Sequence, residues 1–196
     1  MNRVHRWLCR SAHWRKTVET HILPWVLDGV ELGADVLEIG PGPGITTDLL
    51  RTRVPRLTCV EIDDRLASAL ERRTVGRNVT VLHEDATSMS LADASFDSAV
   101  CFTMLHHVPS AELQDRLLAE VARVLRPGGV FAGVDSLYSR SFGMLHWFDT
   151  MVVVDPATFG ARLEAAGFRD VEVEVNPWAF RFRARRPTAG PPGHPG

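Results

Sequence analysis

Lysine is nearly missing from this chain: of 22 basic residues, Lys16 is the one lysine. A phosphate-cradling P-loop needs Gly-Lys-Ser/Thr after its glycines, so that class of nucleotide site is excluded. The arginines that carry the positive charge are scattered, which reads as a base-composition bias of the genome and not as a binding patch. With a net charge of −2 and a pI near 6.4, the chain does not have the basic balance of a dedicated nucleic-acid binder. Cysteine is scarce too. Cys9, Cys59 and Cys101 are odd in number and far apart. They exclude a disulfide framework and suit small core residues in a reducing compartment. His5, His13, His21, His83, His146 and His194 lack metal-ligand spacing, so no metal is expected. No apolar run approaches the ~18 residues of a membrane span. The basic N-terminus is followed by no apolar h-region or cleavage site, so no secretion signal is read and a cytoplasmic location is expected. No internal repeat is found.

What is present fits one domain. The chain has 196 residues, 45% of them hydrophobic, enough for a full core. Apolar runs at Asp35–Ile39, Leu57–Ile62, Val79–His83, Ser98–Phe102 and Val130–Val134 read as strands. Helical patterns over 45–53, 64–73 and 110–126 lie between them. Leu113, Leu117, Val121 and Leu125 form one stripe, Ser110 is placed to cap it, and Pro127-Gly128-Gly129 ends it. This alternation predicts a parallel sheet with right-handed crossovers. Asp155-Pro156 opens a further helix that Gly167 terminates. Val171–Val175 and Ala179–Arg185 then alternate around Asn176-Pro177-Trp178, a hairpin that makes the last strand antiparallel. Residues 1–28 carry Trp7, Trp14, Val18, Ile22 and Trp25 at helical intervals and are expected to form a helical lid before the main domain at 29–186. Their simpler reading is a solvated helix with one packed apolar stripe. Residues 136–154 form an aromatic insertion with Met144 and Met151, and the Pro/Gly-rich tail 187–196 is expected to be disordered.

The most specific stretch is Val36-Leu37-Glu38-Ile39-Gly40-Pro41-Gly42-Pro43-Gly44. A strand runs into glycines at alternate positions and then into a helix. Such a turn lets backbone approach a ligand, because no Cβ intervenes. It also serves as a tight strand-to-helix turn with no ligand at all. A dinucleotide fingerprint would need its third glycine where Ile45 stands, which argues against a nicotinamide-dependent oxidoreductase. Glu38 would repel a pyrophosphate and suit a cationic ligand.

This E-x-G-x-G-x-G turn resembles motif I of the class I S-adenosylmethionine-dependent methyltransferases. The resemblance covers roughly residues 35–186 and extends through Glu61 and Asp63 after the second strand, Glu84-Asp85-Ala86 after the third, Leu105-His106-His107 after the fourth, and Leu125-Arg126-Pro127-Gly128-Gly129 before the fifth. It implies a Rossmann-like, doubly wound α/β sheet of seven strands in the order 3-2-1-4-5-7-6, mostly parallel. It implies S-adenosylmethionine as cofactor and S-adenosylhomocysteine as product. Glu38, Gly40, Gly42 and Gly44 would serve the methionine end. Glu61, or alternatively Asp63, would take the ribose hydroxyls. Ile62, Asp85 and Ala86 would surround the adenine, and Phe102 would also bind the cofactor. O-methylating relatives use a histidine of the doublet, sometimes with an acid after the fifth strand. That carries to His106 with Asp135, and to His107 as the alternative. His106 also reads as a structural hydrogen-bonding residue, and Asp135 as a helix cap.

Phe102-Thr103-Met104-Leu105 is not the Asn/Asp-Pro-Pro-Tyr/Phe of nucleobase N-methyltransferases, and Cys101 follows Val100, not proline. Base modification is therefore not expected. The partner implied is a small-molecule acceptor, with oxygen favoured and its identity left open. A non-catalytic binding module with the same fold is the alternative. Neither a nucleic acid nor a membrane is expected as a partner, and oligomeric state is left open.

Overall fold

In the computed structural model, residues 11–139 and 151–188 are described. An N-terminal helical segment comprises α1 (Ala12–Thr17), a π-helical turn (Val18–Ile22) and α2 (Leu23–Val26). Then follow β1 (Asp35–Ile39), α3 (Ile45–Leu50), β2 (Arg56–Glu61), α4 (Asp64–Thr74), β3 (Val79–His83) and β4 (Phe96–Phe102). A 3₁₀ turn (Leu105–His107) leads to α5 (Ala111–Val124), β5 (Leu125–Ser136), α6 (Pro156–Ala165), β6 (Arg169–Val175) and β7 (Ala179–Arg185). The sheet has seven strands in the order β3-β2-β1-β4-β5-β7-β6, with β7 antiparallel to both of its neighbours. This is the order that the resemblance implies.

Side chains alternate across the sheet and build one core on each face. Leu37, Ile39, Ala99, Cys101 and Phe131 point toward α5 and α6, where Leu117, Val121, Phe159 and Leu163 cover them. Phe182 closes that layer, with its ring centroid 4.9 Å from Phe131 and 5.0 Å from Phe159. Val36, Cys59, Val100, Val130 and Val134 point the other way, against Leu50, Leu70, Leu23 and Val26. Burying each such Leu or Phe side chain contributes roughly 1.5–3 kcal/mol, so both layers are needed to hold the sheet rigid. Cys59 and Cys101 are buried free thiols. Among the described residues, no helix is long and apolar enough to cross a membrane.

The caps explain where the helices start. Ser110 Oγ accepts from Leu113 N–H at 3.2 Å. Asp63 Oδ1 accepts from Arg65 and Leu66 N–H at 3.0 and 3.1 Å. Asp155 Oδ1 accepts from Ala157 N–H at 3.0 Å. The fifth helix ends two residues earlier than its pattern suggests, because Leu125 is already extended and pairs with Phe96 across β4.

The N-terminal segment divides in two. Leu23 and Val26 are buried in the second core layer. The Trp25 indole N–H donates to Glu174 Oε1 at 3.2 Å, the Arg181 guanidinium donates to the Trp25 carbonyl, and Arg183 donates to the Gly29 carbonyl at 3.1 Å. Residues 23–30 are thus fastened to the sheet. Residues 1–10, Met144 with most of the insertion, and the tail beyond 188 lie outside the described residues.

Candidate active site

The chain runs from β1 outward through β2 and β3, then returns to place β4 on the other side of β1. That reversal leaves a crevice beyond the carboxyl ends of β1 and β4, the place where open α/β sheets bind ligands. A cavity of 510 Å³ lies there, within the usual range for small-molecule and cofactor sites. Four segments supply most of its wall: Gly40–Pro43 after β1, Glu61–Asp63 after β2, Glu84–Thr87 after β3, and Phe102–Met104 after β4. Trp14 from α1 and His107 also line it, with Val108, Pro109, Leu113 and Leu117.

The glycine turn does three separate jobs. Gly40, at φ +62°, lets Met104 rest on it; a Cβ there would come within 3.0–3.1 Å of the Met104 side chain. Gly42, at φ +54°, lines the cavity, and a Cβ there would meet no protein atom within 4 Å. Gly44, at φ +80°, does not line the cavity, and a Cβ there would collide with Leu70 and Arg73 of α4. Gly44, expected to serve the methionine end, lets α4 pack against the turn.

Glu38 also stands apart from the cavity wall. Its carboxylate is buried behind the turn and does not line the cavity. It accepts the hydroxyl hydrogens of Thr46 and of Thr47, the latter at 2.6 Å. Burial raises its pKa above the ordinary glutamate range. Its place in the chain fixes the entry of α3 onto β1, and so the shape of the turn.

Glu61 lies where a ribose acid is expected. It lines the cavity, with Oε2 accepting from Gly42 N–H at 2.9 Å and Oε1 from Asp63 N–H at 3.0 Å. A carboxylate has about four acceptor sites, so these bonds do not use it up. Burial lifts the Glu61 carboxyl above its ordinary range, opposed by backbone N–H bonds from Asp63, Gly42 and Ile62. Asp63 also lines the cavity, but its Oδ1 is engaged in capping α4. Ile62 is 65% exposed beside it, an apolar surface presented at the cavity. Asp85, Ala86 and Phe102 line the cavity as expected, and Asp85 Oδ1 accepts from Thr87 N–H at 2.8 Å.

The histidine doublet is divided. His106 and Asp135 are buried and line no part of the cavity, whereas His107 lines it. Successive side chains in a 3₁₀ turn point about 120° apart, so neighbours cannot share one wall. His106 faces β5, with Nδ1 2.5 Å from Asp135 Oδ1 and its backbone N–H donating to Oδ2 at 3.0 Å. His106 and Asp135, expected as a base and its acid, thus form a buried pair behind the wall, and His107, the alternative, stands at the cavity. The His107 ring packs on it, with centroids 4.2 Å apart. Gln114 steadies the same turn by donating to the carbonyls of Leu105 and Val152 at 3.1 and 2.9 Å.

Thr103, Met104 and Trp14 as an individual side chain are among the cavity residues not singled out from the sequence. Only Trp14 had a signal, the aromatic spacing of the N-terminal helix.

Residues 37–133 match the family model described as "Methyltransferase domain". An uncharacterized methyltransferase of Mycobacterium tuberculosis (strain ATCC 25618 / H37Rv) is 31% identical over 106 residues, which cover 54% of this chain and 52% of that protein. A ubiquinone biosynthesis O-methyltransferase of Paraburkholderia phymatum is 28% identical over 132 residues, covering 64% of this chain and 56% of that protein. The chain thus spans about half the length of the curated relatives it matches. In fold it is similar to a SAM-dependent methyltransferase from Aquifex aeolicus, with a TM-score of 0.75, 20% identity, and coverage of 95% of this chain and 99% of that one. Taken with the sheet order, these likenesses assign the chain to the class I S-adenosylmethionine-dependent methyltransferase family.

Proposed function

We propose that the protein transfers the methyl group of S-adenosylmethionine to a hydroxyl group of a small molecule, leaving S-adenosylhomocysteine. The observation that carries this reading is the 2.9 Å bond between Gly42 N–H and Glu61, two walls of one cavity at the switch point of the sheet. The donor set fits the cofactor. The acceptor sites left on Glu61 suit a ribose diol, and the exposed Ile62, with Asp85 and Ala86 beside it, suits adenine. Gly42 leaves the backbone open at the methionine end.

When bound, that cofactor supplies a methyl carbon already activated by a sulfonium. The residues of this chain align the acceptor and exclude water. Trp14, Phe102 and Met104 narrow the cavity with apolar surface. A ring nitrogen of His107 would take the proton of the acceptor hydroxyl as the methyl group is transferred to its oxygen. The relative named as a ubiquinone biosynthesis O-methyltransferase supports oxygen as the acceptor atom.

Calorimetric titration and thermal melting test the cofactor. S-adenosylhomocysteine is expected to bind and to raise the melting temperature, because a ligand of the folded state stabilises it by mass action. NAD and NADP are expected to do neither. A shift with NAD and none with S-adenosylhomocysteine overturns the reading. Labelled methyl transfer to a panel of phenols, catechols and amines then separates oxygen from nitrogen as the acceptor atom.

A further inference from the structure

Thr103 holds a backbone conformation that its own side chain opposes. Its φ is +50°, in the left-handed region, where a β-branched residue is sterically disfavoured. Two other described residues apart from glycine have positive φ, and neither lines the cavity. Asp170 sits in the register shift of β6 against β7, and Ala94 in the tight turn before β4. Thr103 is different in both respects. It is β-branched, and it stands in the cavity wall directly after β4. Its N–H donates to the Val134 carbonyl at 2.8 Å, which pins it to the edge of the sheet. The next residue, Met104, lies on Gly40 of the facing turn, so Thr103 borders the part of the crevice nearest the glycines.

Turning the chain out of β4 needs only a left-handed residue. Glycine would do this without steric cost. Threonine instead adds a hydroxyl and a methyl group to the wall. Strain of this kind persists where the surrounding structure enforces it, and it gathers at ligand sites. We propose that Thr103 is a cofactor-contact residue. Its hydroxyl hydrogen-bonds the amino-acid end of bound S-adenosylmethionine or S-adenosylhomocysteine, and its strained backbone is kept at a cost to the stability of the empty protein. This rests on the cofactor reading above.

The test uses the full chain, S-adenosylhomocysteine as probe, and three variants. Thr103→Gly relieves the strain and removes the hydroxyl. It is expected to melt about 1–3 °C above wild type, since the steric relief outweighs the added freedom of the unfolded chain. It is also expected to bind the probe about tenfold more weakly, the loss of one hydrogen bond. Thr103→Val keeps the shape and the strain, and is expected to melt as wild type with the same loss of affinity. Thr103→Ser keeps the hydroxyl and is expected to bind within about threefold of wild type. Wild-type affinity in either the glycine or the valine variant overturns the contact. A glycine variant that melts at or below wild type overturns the stored strain. Wild type that binds no probe brings down the cofactor reading itself, and this inference with it.

Discussion

His106 Nδ1 lies 2.5 Å from Asp135 Oδ1, with both side chains 1% exposed. Asp135 also accepts from the backbone N–H of His106 and of Ser136, at 3.0 and 2.7 Å. Three donors therefore converge on one buried carboxylate. They join the turn after β4 to the end of β5, and so hold the wall that carries Thr103 and His107. Asp135→Asn turns an NH₂ group toward these donors. It is expected to destabilise the protein by about 1–3 kcal/mol, the cost of a mismatched buried polar group. Thermal melting checks this, and an unchanged midpoint would remove the pair from the framework of the site.

His107 reaches the cavity and is expected to carry the activity. For a hydroxyl acceptor, His107→Ala should lower kcat by about 10²–10⁴, with affinity for S-adenosylhomocysteine nearly intact. The wild-type rate should rise with pH through one ionisation that the variant lacks, because only the neutral ring accepts a proton. With an acceptor found, a His107→Ala rate near wild type would reject the base while leaving the methyltransferase reading in place.

Glu61 gives the binding its pH dependence. Burial raises its folded pKa, so ionisation is disfavoured in the empty protein. This group's contribution to stability is therefore greatest in acid, and declines as pH rises through the ordinary carboxylate range toward the raised value. The ribose hydroxyls need the ionised form as acceptor, so affinity runs the opposite way. The thermal shift produced by S-adenosylhomocysteine should shrink as pH falls through a range higher than an exposed glutamate would give. Glu61→Gln should show a smaller shift that varies little with pH. A wild-type shift constant over that range would take Glu61 out of the ribose site.

The sheet was legible because apolar runs bounded by glycine and acid alternate with helical stripes, and those signals are local. The assignment of individual site residues was less so. Gly42 and Gly44 look alike in the sequence, yet one borders a ligand cavity and the other admits Leu70 and Arg73. Adjacent histidines in a 3₁₀ turn point about 120° apart, and nothing in Leu105-His106-His107 says which faces out. Glu61 and Asp63 differ in whether the carboxylate is used to cap a helix. The burial of Leu23 and Val26 depends on β7, which comes about 150 residues later, as the bond of Arg181 to the Trp25 carbonyl shows.

Glu38 separates support of the turn from contact with a ligand. Its oxygens are taken by Thr46 and Thr47. Glu38→Gln keeps an acceptor for one hydroxyl and loses the charge. If Glu38 only shapes the turn, affinity for S-adenosylhomocysteine should stay within about threefold, while Glu38→Ala lowers the melting temperature. A loss of tenfold or more in the glutamine variant, at unchanged stability, would show a direct charged contact with the cofactor.

The glycine turn offers the sharpest contrast, because two positions of one motif should fail differently. At Gly42 a side chain meets no protein atom, so Gly42→Val should fold. The left-handed φ costs it about 1–2 kcal/mol. The branched side chain then occupies the edge of the cavity and should abolish the heat of binding S-adenosylhomocysteine. At Gly44 the added Cβ strikes Leu70, which is buried, and Arg73, which donates to the Gly44 carbonyl at 3.1 Å. Gly44→Ala should therefore cost the left-handed penalty and about 1–3 kcal/mol of overpacking besides. Well below its lowered melting point it should still bind the probe, because the residue is not part of the cavity wall. Circular dichroism melts and calorimetry on both variants decide the matter. Retained binding in Gly42→Val, or lost binding in a fully folded Gly44→Ala, would reverse the roles of the two glycines.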